Sequence, residues 1–237
     1  MFKDNGNTEG KASHTIDVIF ASFIYCMPFL LHILFLTLGM LLFPGLRGHT
    51  KGDPVRKPTE AEKEFQLKSR SINRALHVAD SLKPWLLANG YSTSLIFIAD
   101  VRLSMDLKRF YAIQPDSQRL LHSAIMAHGR GKGSRMDSAV FSNVVGSLCT
   151  SEGRYRIGDS MWGEYGKGYR LHGLDPTNNN ALKRLVVFHY YEPLTSEEHS
   201  DPLIYSSGCP MLATVDFRHC DALIQQEKKP VLMVIYK

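Results

Sequence analysis

The segment Tyr205-Ser206-Ser207-Gly208-Cys209-Pro210 puts one thiol on a chain-bending turn. His189 lies twenty residues earlier, at the end of the apolar run Val186-Val187-Phe188. These residue types suit nucleophilic acyl transfer. The thiolate is the attacking species, and a nearby imidazole supplies the base or ion-pair partner. A Gly-Cys turn meets a second need of that chemistry, since glycine tolerates dihedrals that aim successive backbone N–H groups at a developing oxyanion. Spacing alone leaves a structural reading open, with His189 a satisfied strand-end histidine and Cys209 a small side chain in a loop.

Other candidates are weaker. His128-Gly129-Arg130-Gly131-Lys132-Gly133-Ser134 has the glycines of a phosphate loop, but Lys132 is followed by Gly133 instead of Ser or Thr, and no helical pattern begins there. It reads as a flexible Gly-rich loop leaving a strand, with Arg130 and Lys132 suited to an anionic ligand. Of the four cysteines, Cys26 sits in an apolar run, and Cys149, Cys209 and Cys220 have no CxxC spacing. No zinc site is expected, no other cofactor is implied, and three thiols cannot all pair.

Several elements must position these groups. Residues 1–17 form a polar tail. Residues 18–43 hold no Asp, Glu, Lys or Arg and are long enough to cross a hydrocarbon core of ~30 Å, so they read as an uncleaved transmembrane anchor. Residues 44–58 are a Pro- and Gly-rich linker. Residues 59–93 predict a helix: Thr59 and Glu62 fit a capping box, Pro84 should end or kink the helix, and Gly90 suits its C-terminal cap. From residue 94 to 237 the period changes to short runs rich in branched and aromatic residues, such as SLIFIADVR, KRFYAIQ, RLLHSAIMA, RLVVFHYY and PVLMVIYK. A further helix is expected over TVDFRHCDALIQQ. The fold class is mainly β with peripheral helices (α+β). The net charge of +5 suits an anionic neighbour such as a membrane surface, nucleic acid or an acidic polymer, and equally an ordinary surface with a lysine excess.

Motifs in order along the chain carry a resemblance. Ala127-His128-Gly129-Arg130-Gly131 is followed by Phe141-Ser142-Asn143, Leu171-His172-Gly173-Leu174-Asp175, Asn178-Asn179-Asn180-Ala181, Val186-Val187-Phe188-His189 and Ser207-Gly208-Cys209-Pro210. This series resembles the murein L,D-transpeptidase catalytic domain family, the YkuD-like group, in its Cys-Pro branch. Departures are Tyr190-Tyr191 where the family's histidine is usually followed by glycine, an acidic stretch around Glu197-Glu198-His199, and Met211 two residues past the cysteine.

The resemblance implies an L,D-transpeptidase-like β-sandwich. Cys209 would be the nucleophile and His189 the base, with the oxyanion held by N–H groups around Gly208 and Cys209. Ser207 and His172 would shape the site, and His128, Arg130 and Tyr190 would border the bound substrate. The implied substrate is a peptidoglycan tetrapeptide stem, acylated onto Cys209 and passed to an amine or to water, without metal or nucleic acid. Such a polymer lies outside the bacterial cytoplasmic membrane, so a single-pass protein with an extracytoplasmic domain is expected. The positive-inside count, with Arg47, Lys51, Arg56 and Lys57 after the span, points the other way. Two other readings stay open: a catalytically weak wall-binding module, and a cysteine peptidase.

Overall fold

The structure, a computed structural model, describes residues 56–200 and 204–237. The expected tail, the anchor and all but the end of the linker lie outside them. Among the described residues no helix is long and apolar enough to cross a membrane.

Helix α1 spans Glu60–Ala88. Its capping box forms as expected: the Glu62 N–H donates to Thr59 Oγ1 at 3.2 Å, and the Thr59 N–H donates to the Glu62 carboxylate at 2.7 Å. Pro84 does not end the helix. It lies close to the C-terminus, where its missing N–H costs one ladder bond, and the buried Leu86 and the Trp85–Tyr91 ring contact hold the last turn. The end is a Schellman motif, with Tyr91 N–H on Leu86 O at 2.9 Å, Gly90 N–H on Leu87 O at 3.3 Å, and Gly90 at φ +72°.

Eight strands follow: β1 Ile96–Asp100, β2 Lys108–Gln114, β3 Arg119–Ile125, β4 Gly153–Gly163, β5 Gly166–Gly173, β6 Val187–Tyr190, β7 Met211–Leu212 and β8 Leu232–Tyr236. Helix α2, Thr214–Gln226, lies between β7 and β8. The mainly β class with two helices is as expected. The strands make one mixed sheet in the order β3-β2-β1-β8-β4-β5-β6-β7, instead of two sheets facing each other. A bridge between Ala127, just past β3, and Met211 of β7 brings the two ends of that sheet together and nearly closes it.

Strands β1 and β8 pair in parallel at the centre and are buried on both faces. This is why they read as unbroken apolar runs, not as alternating ones. Their inward residues Phe97, Met233 and Ile235 join a core with Phe110, Phe188 and Phe217, whose rings lie 5.2–5.8 Å apart. Their outward residues Ile96, Ile98, Leu232 and Val234 pack beneath Ala75, Ala79 and Leu86 of α1.

Asp100 ties α1 to the sheet. Its fully buried carboxylate accepts from Ser71 Oγ at 3.0 Å, Arg74 Nη2 at 2.6 Å and Arg102 Nε at 2.9 Å. Burial opposes its charge, but these three donors outweigh it and hold the pKa below 3.8. Asp100→Ala is expected to cost about 3 kcal/mol, the low end for breaking a buried ion pair because both guanidiniums reach solvent. Urea unfolding of the variant checks this.

Candidate active site

The pairing of β6 with β7 assembles the site. It is parallel, with His189 opposite Met211. Cys209, two residues before Met211, therefore falls beside Val187, two residues before His189. Alternation along a strand then puts both side chains on one face. The Val187 N–H donates to Cys209 Sγ at 3.4 Å, and the thiol points at Leu185 O at 3.8 Å.

Two cavities meet at this pair. One, of about 320 Å³, is lined by Arg130, Tyr165, Tyr191, Tyr205, Ser206 and Ser207 together with His189 and Cys209. The other, of about 300 Å³, is more apolar, with Met161, Gly168, Leu185 and Val187 around the same two residues. Cys209 is half-buried and open to both, and Cys149, Cys209 and Cys220 are all free thiols.

His189 has a defined tautomer. Nδ1 lies 2.8 Å from Tyr190 O, and a carbonyl only accepts, so Nδ1 carries the proton. Nε2 is then the basic nitrogen of the neutral ring. Tyr165 covers the ring in a near-parallel stack at 5.5 Å, and Tyr191 meets Tyr165 edge-on. Burial pushes the imidazole below 6.5, against the pull of the Tyr190 carbonyl. Burial also pushes the Cys209 thiol above 9.0, opposed by the Val187 N–H and by Arg184. Burial thus favours the neutral form of both groups, and the two side chains share cavity walls without hydrogen bonding each other.

The turn carrying Cys209 is held from below. Gly208 has φ +121°, and a Cβ there would come 2.8 Å from Cys149 O, so the turn needs glycine. The Gly208 N–H donates to Ser206 Oγ at 3.0 Å. Of the two amides expected to face an oxyanion, Cys209's remains without an acceptor among the described residues. The 128–131 segment is packed against its neighbours. Ser206 N–H donates to His128 O, Arg130 N–H to Ser206 O, and Gly131 N–H to Leu148 O. A Cβ on Gly129 would come 2.2 Å from Leu148 O, so its glycine permits this backbone approach.

Several expected site residues lie elsewhere. His128 is fully buried and does not reach the cavities; its Nδ1 accepts from the fully buried Arg109 at 2.7 Å, and burial with that charge pushes it down to about 4. His172 is four residues along β5 from Gly168, which pairs with His189, so about 13 Å along the strand separates it from the site. Its ring lies over Gly158 of β4. Tyr190 turns its ring toward Gly166 and Phe217, because alternation sends it to the opposite face from His189, and only its carbonyl serves the site. Arg130 and Ser207 do line the first cavity. Tyr165 and Arg184 carry no motif in the sequence, and Tyr191 stands there only as part of the Tyr190-Tyr191 departure from the family pattern. Arg184 stands in the turn before a strand already read as core.

The remaining motif residues are supports. Asp175 holds Arg154 at 2.5 Å, and the Asn178 side chain donates to Arg154 O at 2.9 Å. Asn143 and Asn180 bolt two loops together through side chain to backbone bonds of 3.0–3.2 Å.

The family model described as the L,D-transpeptidase catalytic domain matches residues 65–236. Among curated proteins none matches. Solved structures with similarity include the helical cell shape determining protein Pgp2 from Campylobacter jejuni, at 15% identity over 62% of this chain and 49% of that one, TM-score 0.41. Another is an L,D-transpeptidase from Mycobacterium smegmatis, at 11% identity over 61% and 59%, TM-score 0.35. A third is an L,D-transpeptidase in complex with imipenem, at 12% identity over 60% and 59%, TM-score 0.35. The chain thus spans about half to three fifths of the length of these structures. With the family match covering most of the chain, this protein belongs to the L,D-transpeptidase catalytic domain family.

Proposed function

We propose that this chain is a cysteine L,D-transpeptidase or L,D-carboxypeptidase acting on peptidoglycan tetrapeptide stems, tethered by residues 18–43 with its domain outside the cytoplasmic membrane. The observation that supports this best is the shared cavity wall of Cys209 and His189, with the His189 tautomer set by the Tyr190 carbonyl at 2.8 Å. The family acts on peptidoglycan stem peptides.

In this reading Nε2 of His189 takes the Sγ proton as sulfur attacks the carbonyl carbon of the third stem residue. The carbonyl becomes an oxyanion, and the free Cys209 N–H is its protein donor. The bond to the terminal D-alanine breaks, and the leaving amine takes the proton from Nε2. A thioester remains on Cys209. An amine or water then gives a proton to Nε2, attacks the thioester carbon and expels the sulfur, which recovers its proton. Because the carbonyl of Tyr190 already occupies Nδ1–H, the base needs no carboxylate to orient it.

A carbapenem carries a strained lactam carbonyl that a thiolate opens, so it traps the first half of this sequence. The wild-type chain is expected to gain the mass of one carbapenem, and Cys209→Ala to gain none and to release no D-alanine from disaccharide-tetrapeptide. Adduct-free wild type by intact-mass spectrometry would remove the reading and favour a wall-binding role.

The pH profile follows from the imidazole. The base must be neutral, and burial lowers its pKa, so the acid limb of kcat/KM should lie below pH 6.5. Activity is fully present above that limb and lost as pH falls through it. Stopped assays of D-alanine release between pH 4 and 8 measure it; a limb above 7 would contradict the assignment of His189.

A further inference from the structure

Arg184 occupies the turn before β6, and its guanidinium faces three neutral groups. Nη1 donates to Ser151 Oγ at 2.9 Å, and Nη2 donates to Cys149 O and, at 3.4 Å, to Ser147 Oγ. None of these acceptors is a carboxylate, so its charge is not neutralised by them. The same Nη2 lies 3.3 Å from where a Gly208 side chain would begin. The cation is thus pressed against the residue preceding Cys209, and the carbonyl it grips is the one on which Gly208 is seated.

We propose that Arg184 is a positioning residue for the nucleophile: it pins the Cys149 carbonyl under the Gly208 turn and sets a fixed positive charge beside Cys209 that favours its thiolate. The inference rests on Cys209 being the nucleophile, but its physical content is a property of the thiol alone. Two features of arginine fit the task. Its planar fork can hold Ser151 and Cys149 at once, which a lysine ammonium does less well. Its charge persists at every working pH, so the bias on the sulfur is permanent. The direction of Arg184's effect on the thiol agrees with this placement. The loops Arg184 joins are themselves fastened by Asn143 and Asn180, so the guanidinium is held from both sides.

Iodoacetamide alkylation of the full-length chain, followed against pH with Cys209→Ala as the blank, reads the thiolate directly. An opposite charge within about 4–6 Å of a thiol shifts its pKa by about one unit or more, and one unit is tenfold in thiolate fraction below the midpoint. Arg184→Gln is therefore expected to alkylate about tenfold more slowly at neutral pH, with its midpoint about one unit higher and its rate on the alkaline plateau unchanged. A glutamine variant that folds and titrates as the wild type does overturns the proposal. Arg184→Lys retains a cation, and its midpoint should stay within about half a unit of wild type. A lysine variant displaced upward by a full unit also overturns the proposal, whether or not the glutamine variant folds. Carbapenem adduct formation, measured alongside, separates the two readings. A thiol that titrates as expected but never acylates sinks the proposed function and leaves the role of Arg184 intact.

Discussion

The site depends on how closely three stretches of backbone approach one another beneath Cys209. The turn at Gly208 sits on the Cys149 carbonyl, and residues 128–131 run between the 147–150 segment and the cysteine-bearing turn, bonded to both. Only residues without a Cβ fit where the contacts fall below 3 Å, which accounts for Gly129 and Gly208. Backbone-to-backbone contact is stiffer than side-chain packing, since neither partner has rotamers to yield. The position of the sulfur is therefore set by chain geometry, not by the packing of its own short side chain.

The electrostatics build on that frame. Both reactive groups sit partly out of water, and burial moves each toward its neutral form: the imidazole down, the thiol up. A neutral pair does not attack by itself, but it is poised for a proton transfer coupled to bond formation. Two features counter the cost of charge on the sulfur, the Val187 N–H and the Arg184 guanidinium. On the imidazole side the Tyr165 ring covers one face, where a ring quadrupole favours a cation. The two cavities meeting at this pair give access from two directions, one side polar with Arg130 and the serines, the other apolar with Met161 and Leu185.

The acidic stretch before the cysteine is drawn into the same frame. Lys68 of α1 bridges Glu64 and Glu198, and His199, at φ +60°, reaches both Glu64 and Asp106. These contacts fasten one end of the segment that leads to Tyr205 and Ser206 in the cavity wall. Most of these side chains are part-buried, and each pair contributes little alone.

Much of this was legible in the residues themselves. The capping box of Thr59 and Glu62, the strands β2 and β8 and the helix α2 follow from local pattern, since caps and periodicity are properties of neighbours in sequence. The Gly-Cys turn and the strand-end histidine were legible for the same reason. What the chain did not disclose is which distant backbones touch. His128, His172 and the ring of Tyr190 looked like site residues because they are polar and stand in motifs, yet burial, strand register and alternation send each elsewhere. Two-residue β7 was too short to carry a periodic signal, but its parallel register with β6 is what seats Cys209 beside Val187, on the cavity wall it shares with His189. Residue types determined that a thiol, an imidazole and the right glycines were available. Only the tertiary pairing decided which of them meet, because register and face are settled between strands far apart in the chain.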